Sequence, residues 1–180
     1  MDKKDINNLL FTQTADHNQE HADCYVDHYL EQYKTYLHIF NHTSDRRQKA
    51  NEFFLGINAA IIGILGYIEI RMTFQSPIFF IFIPIVGTGI CYSWYKIISS
   101  YKQLNRAKFA IIHMLEKRLP IALFETEWEL LGKGMDKRKY DPLSQIEKNI
   151  PLMFISIYVV IIFTKLPWTE AIIFLNYLKN

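Results

Sequence analysis

The sequence predicts an all-α integral membrane protein, with three transmembrane helices and cytoplasmic amphipathic helices, assembled as a homo-oligomer. Three observations predict it. Half of the 180 residues are hydrophobic, and they are gathered into blocks at 53–98 and 150–166 between polar stretches at 1–52 and 99–149, a layout no soluble core needs. The blocks resolve into three stretches of about the twenty residues that cross a hydrocarbon core of roughly 30 Å at about 1.5 Å per residue. Lys and Arg also fall mostly on one side of those stretches, as they do where loops stay in the cytoplasm.

Residues 1–52 read as a cytoplasmic helical segment. They lack a basic start followed by an apolar run and a small-residue cleavage site, so the first span is expected to direct insertion itself. Val26, Leu30, Tyr33, Leu37 and Phe40 recur four and three residues apart, the spacing of an apolar helical seam. A seam this short needs a partner surface, either elsewhere in the chain or on another copy, which makes Leu30, Tyr33, Leu37 and Phe40 packing candidates.

Span one, 53–72, reads FFLGINAAIIGILGYIEIRM, with Glu69 and Arg71 at its end where both reach the interface. Asn58 and the small residues Gly56, Ala59, Gly63 and Gly66 are expected on overlapping faces, where small residues allow close helix approach and an amide bonds across the contact. Span two, 77–95, opens at Pro77, a favoured first-turn residue, after Ser76 as cap. The short loop between these spans predicts a tight hairpin, and Pro84 with Gly87 and Gly89 predicts a bend.

The cytoplasmic segment 96–149 is expected to begin as a helix with Ile97, Tyr101, Leu104, Ile111 and Leu115 on one face and a stop at Pro120. A short helix FETEWELL follows, then the loop GKGMDKRKYD, then a helix started by Asp141 and Pro142 that leads into span three, 150–166. The tail 167–180 is too short for a fourth span and is assigned to the outer, periplasmic interface.

Orientation follows from the basic residues: six precede span one, eleven lie from Lys96 to Lys148, and Arg71, Lys165 and Lys179 remain for the opposite side. The N terminus is therefore expected inside and the C terminus outside. Net charge is only +2, but residues 1–31 carry seven acids against Lys3 and Lys4 whereas 96–149 carry eleven bases against seven acids. This contrast suggests that the acidic segment faces the basic segment of a neighbour. Cys24 and Cys91 are expected to be free thiols.

Candidate chemistry is sparse. His17 and His21, and again His38 and His42, are four apart, with Asp16, Glu20, Asp23 and Cys24 as conceivable further metal ligands. No Glu directly follows the first His of either pair, so the zinc-protease signature is absent, and ordinary exposed histidines are the expectation. Lys133, Lys137, Arg138 and Lys139 in the glycine loop could attract anionic lipid; the loop lacks a Walker ending, and its cluster is too short for nucleic acid. Glu125, Glu127 and Glu129 lie two apart and do not share a helical face. No cofactor, metal or catalytic residue is expected.

The runs NEFFLGINAAIIGILG, WYKIISSYKQLNRAKFAIIHMLEKRLP, EWELLGKG and IEKNIP, in that order within 28–165, resemble the RipA family of small bacterial cytoplasmic-membrane proteins. The resemblance implies an octamer in the inner membrane and, through the family's founding member, a part in intracellular proliferation and virulence of a host-adapted bacterium. It brings no catalytic residues. The residues themselves lead to a non-enzymatic scaffold or platform whose partners are other copies of the chain and membrane lipids. Two alternatives stay open. One is an oligomeric channel or transporter, although no span has an ionisable group near its centre. The other is an enzyme acting on lipid or envelope precursors, for which Lys108, His113 and Glu116 would be the residues to substitute.

Overall fold

The computed structural model describes residues 22–71, 77–134 and 143–166, together with Leu10, Arg138 and Tyr140. The described residues form helices and turns and no strand: α1 (Ala22–Arg71), α2 (Pro77–Glu116), α3 (Leu123–Leu130), a 3-10 turn at Gly132–Gly134, and α4 (Leu143–Lys165). Three of them, over Cys24–Arg71, Ile78–Glu116 and Gln145–Lys165, are long and apolar enough to cross a membrane.

Lengths and charges together place the spans within longer helices. At about 1.5 Å per residue, the 50 residues of α1 and the 40 of α2 each exceed a core of roughly 30 Å. In α1 the charge-free stretch lies between Glu52 and Glu69, and in α2 it ends at Lys96. The expected Asp141 and Pro142 helix start, the loop after span one, and the tail 167–180 lie outside the described residues. Past Glu116 the chain turns by 3-10-type bonds, Arg118 N–H to Leu115 O at 3.1 Å and Leu119 N–H to Glu116 O at 2.9 Å, just ahead of Pro120.

The chain divides into two compact units, Met1–Arg46 with Lys102–Asp141, and Arg47–Tyr101 with Pro142–Asn180. In the second, the span unit, the contacts fall in register along α1. Arg47 pairs with Glu147 at 3.8 Å, Asn51 Oδ1 accepts from Trp94 Nε1–H at 2.8 Å, and Glu69 meets Lys165 at 2.6 Å. Helices α1 and α4 therefore run parallel, with α2 antiparallel between these levels. The core is Cys91, Trp94, Ile98, Phe154 and Tyr158. Trp94 stacks on Phe54 with ring centroids 5.8 Å apart, a parallel arrangement suited to aromatic quadrupoles when the rings are offset.

In the first unit, α1 packs on the C-terminal part of α2. The Tyr29 hydroxyl donates to Leu115 O, Phe40 meets Phe109 edge-on at 5.0 Å, and Lys108 Nζ donates to Thr43 Oγ1 at 2.7 Å. Phe109 also contacts Phe124 and Trp128, which seats α3 on the same aromatic cluster. The expected stripe of α2 is displaced: Ile112 and Glu116 are buried here, and Leu104 is 44% exposed. Hydropathy marked the helix, but the Tyr33, Phe40 and Thr43 contacts set which face turns inward.

Candidate functional site

Two buried polar clusters stand out, one in each unit. In the span unit Asn58, fully buried, donates Nδ2–H to Phe54 O at 2.8 Å. Its Oδ1 accepts from the Tyr158 hydroxyl at 2.9 Å and from Cys91 Sγ at 3.0 Å. One amide thus joins all three spans. A polar group in an apolar interior must be satisfied internally, and here one N–H and both acceptor positions of the amide are occupied. Asn58 therefore points inward, while Gly56, Ala59, Gly63 and Gly66 are exposed on other faces of α1. The overlapping face expected from sequence is not formed, because residues one, two and five positions from Asn58 are turned well away on a 3.6-residue helix.

Tyr158 reaches Asn58 because Gly87 leaves room. A Cβ at Gly87 would lie 2.6 Å from the Tyr158 ring, a side chain that is itself fully buried. Gly87→Ala is expected to push the ring off Asn58 and to destabilise the span unit by about 1–3 kcal/mol as overpacking. Reversible denaturation in mixed micelles measures this; a variant as stable as the parent would show that the ring moves freely.

The second cluster centres on Glu116, only 1% exposed. Its Oε1 accepts from Phe124 N–H at 3.0 Å and from the Tyr33 hydroxyl at 3.2 Å, and its Oε2 accepts from Glu125 N–H at 3.0 Å. Helix α3 has Ala122 at its N-cap and no side-chain cap of its own. A carboxylate six residues earlier supplies the missing acceptor, placed where unpaired amides and the helix dipole favour negative charge. Burial first, then the Glu116 charge and hydrogen bond, push the Tyr33 phenol up to about 12.

The other residues singled out from sequence are dispersed. Tyr33, Leu37 and Phe40 are half-buried along α1, whereas Leu30 is exposed. His38 and His42 are exposed with rings edge-on at 4.4 Å, and His42 Nδ1 lies 3.9 Å from Asp45. His17 and His21, with Asp16 and Glu20, lie outside the described residues, and Cys24 is exposed. Among the described residues no three His, Cys, Asp or Glu side chains come together as a metal site. Lys133 pairs with Glu129 at 2.8 Å, which raises its pKa. Arg138 is exposed, and Lys137 and Lys139 lie outside the described residues.

Gly132, Lys133 and Gly134 all adopt positive φ, and a Cβ at Gly134 would meet the Trp128 ring at 3.0 Å. This turn serves the packing of α3. Of the residues proposed for surface chemistry, Lys108 is held by Thr43 and Ile39 O, Glu116 caps α3, and His113 lies against Phe109 with Nε2 buried and unbonded among the described residues.

Sequence reasoning read Cys91 only as a free thiol, which it is, and did not single out Tyr158 or the capping role of Glu116. The available signals were polar side chains within apolar spans and a short helix lacking a capping residue. Compared with known families, residues 30–167 match the model described as the octameric membrane protein family (8xMP), in agreement with the family resemblance carried by the motifs. No curated protein and no solved structure matches the chain.

Proposed function

Because the chain belongs to the octameric membrane protein family, we propose that its homo-oligomer is a non-enzymatic platform in the bacterial inner membrane, its polar segments cytoplasmic and its C terminus periplasmic. That it is a membrane protein and a homo-oligomer follows from the family. The inside placement of the polar segments is supported by the seventeen Lys and Arg lying before span one or between spans two and three, against three elsewhere. A part in intracellular replication and virulence is carried by the resemblance alone.

One observation carries the platform reading. Both buried polar clusters hold helices of a single chain together, while Gly56 and Gly63 lie exposed on α1 with open space where a side chain would begin. The subunit is braced internally, and a small-residue face of a span, with Ala59, is left for another copy. Crosslinking in membranes should give a ladder up to the octamer. Gly56→Leu with Gly63→Leu should shift native mass toward smaller species, each bulky side chain costing the contact about 1–3 kcal/mol. A monomeric ladder from the parent chain removes the platform; an unchanged octamer in the variant removes this face. Ion flux through reconstituted vesicles would instead favour a channel.

A further inference from the structure

At the Arg47 end of the span unit, two lysines lie over tyrosine rings. Lys96 Nζ is 5.5 Å from the centroid of Tyr92, on the same helix. Lys148 Nζ, from α4, is 4.9 Å from the centroid of Tyr95 on α2. Tyr92, Tyr95 and Lys96 fall within one turn, so the two pairs adjoin across the α2 and α4 surfaces. A ring takes only one face of an ammonium group and leaves N–H donors free for an anion. Among the described residues neither lysine has a carboxylate within 4.0 Å. The nearest acid in sequence, Glu147, is held by Arg47, and both of those side chains are largely buried.

The surface below continues as a lipid would require. From Tyr92, itself 57% exposed, α2 presents Val86, Ile85 and Phe82 at 46%, 55% and 64% exposure, with Gly89 leaving open space among them. An apolar strip thus begins where the cations end. By contrast, Lys165 at the other end of the unit pairs with Glu69, and Lys133 pairs with Glu129.

We propose that Lys96 and Lys148, flanked by Tyr92 and Tyr95, hold the phosphate of an anionic phospholipid whose acyl chain lies along the α2 strip. Basic sites between spans at a membrane surface recognise such head groups. This site differs from the glycine loop considered from sequence, and it does not depend on the platform reading.

The intact oligomer, reconstituted in vesicles of equal phosphatidylglycerol and phosphatidylcholine and extracted in mild detergent, reports retained lipid by native mass spectrometry. Phosphatidylglycerol should predominate. Lys96→Gln with Lys148→Gln should lower its retention by roughly fivefold per lysine, whereas the double arginine variant and Lys133→Gln should keep it. If the double glutamine variant fails to assemble, Lys96→Gln alone, at an exposed position, carries the same expectation. Equal retention of the two lipids by the parent chain, or no loss in the glutamine variants, would overturn the site. Soluble glycerol phosphate should leave retention unchanged; displacement by it would assign the lysines to free phosphate and overturn the lipid reading.

Discussion

Glu116→Ala is expected to release α3 from the first unit. The substitution leaves Phe124 N–H, Glu125 N–H and the Tyr33 hydroxyl without their acceptor, in a place where the carboxylate is almost wholly buried. Hydrogen bonds to a charged group contribute about 1.5–3 kcal/mol each, with strong context dependence. Bonds that share one carboxylate are not additive, so a total near 3 kcal/mol is expected, comparable to removing one member of other buried charged networks. Glu116→Gln retains an acceptor oxygen and should cost less.

Hydrogen exchange gives the direct measurement. The Phe124 and Glu125 amides should lose protection in the alanine variant while the span unit keeps its own. Unchanged protection there would mean that the aromatic contacts of Phe109 with Phe124 and Trp128 hold α3 unaided. The alkaline limb supplies a second measure. The Tyr33 phenol is raised from 10.0 to about 12 in the folded chain, so its contribution to stability is complete below pH 10 and is lost as pH rises through about 12. Removing Glu116 takes away the charge and hydrogen-bond causes but leaves burial, the largest. Tyrosinate absorbance should then show Tyr33 titrating lower than in the parent chain, though still above its ordinary value.

Asn58→Leu should damage the spans about as much as Gly87→Ala. It leaves the Tyr158 hydroxyl and Cys91 thiol without the oxygen they share, and an unpaired buried polar group costs about 1–3 kcal/mol. In membranes a single side-chain bond averages about 0.6 kcal/mol, so much of the expected loss, about 2 kcal/mol, comes from the orphaned hydroxyl. The double-mutant cycle isolates that part. Tyr158→Phe alone should cost about 1 kcal/mol, yet it should recover part of the loss once Asn58 is already leucine, because it removes the orphaned hydroxyl. Additive costs in mixed-micelle denaturation would show that the two side chains do not depend on each other. Leucine has the same branching and number of side-chain heavy atoms as asparagine and is somewhat larger, so the substitution leaves no cavity.

Legibility in the sequence differed sharply between levels. Helical class, span number and the long apolar runs were readable because each depends on stretches of about twenty neighbouring residues, and charge ends such a run abruptly at Glu52 or Lys96. The inward positions were less readable. Tyr33, Leu37 and Phe40 belong to a seam visible as a three-and-four spacing, but the same spacing includes Val26, which is 63% exposed. Periodicity identifies a face and does not say how far along the helix that face has a partner. The α2 stripe was displaced for the same reason, since its spacing allows adjacent registers and only the contacts with α1 choose between them.

The polar clusters were the least legible feature. Asn58 read as a residue for contact with another helix, which it is, but its partners stand 33 and 100 residues away, and nothing near Cys91 or Tyr158 marks them as those partners. Glu116 lies eight and nine residues from the amides it binds, yet it binds them only because the chain reverses at Leu119 and Pro120. By itself the sequence determined three segments long and apolar enough to cross a membrane, since transfer into lipid is a property of each segment alone. Only the tertiary structure decided that one amide would join the three spans and one carboxylate would cap a helix, because a buried polar group is satisfied by whatever the fold brings to it.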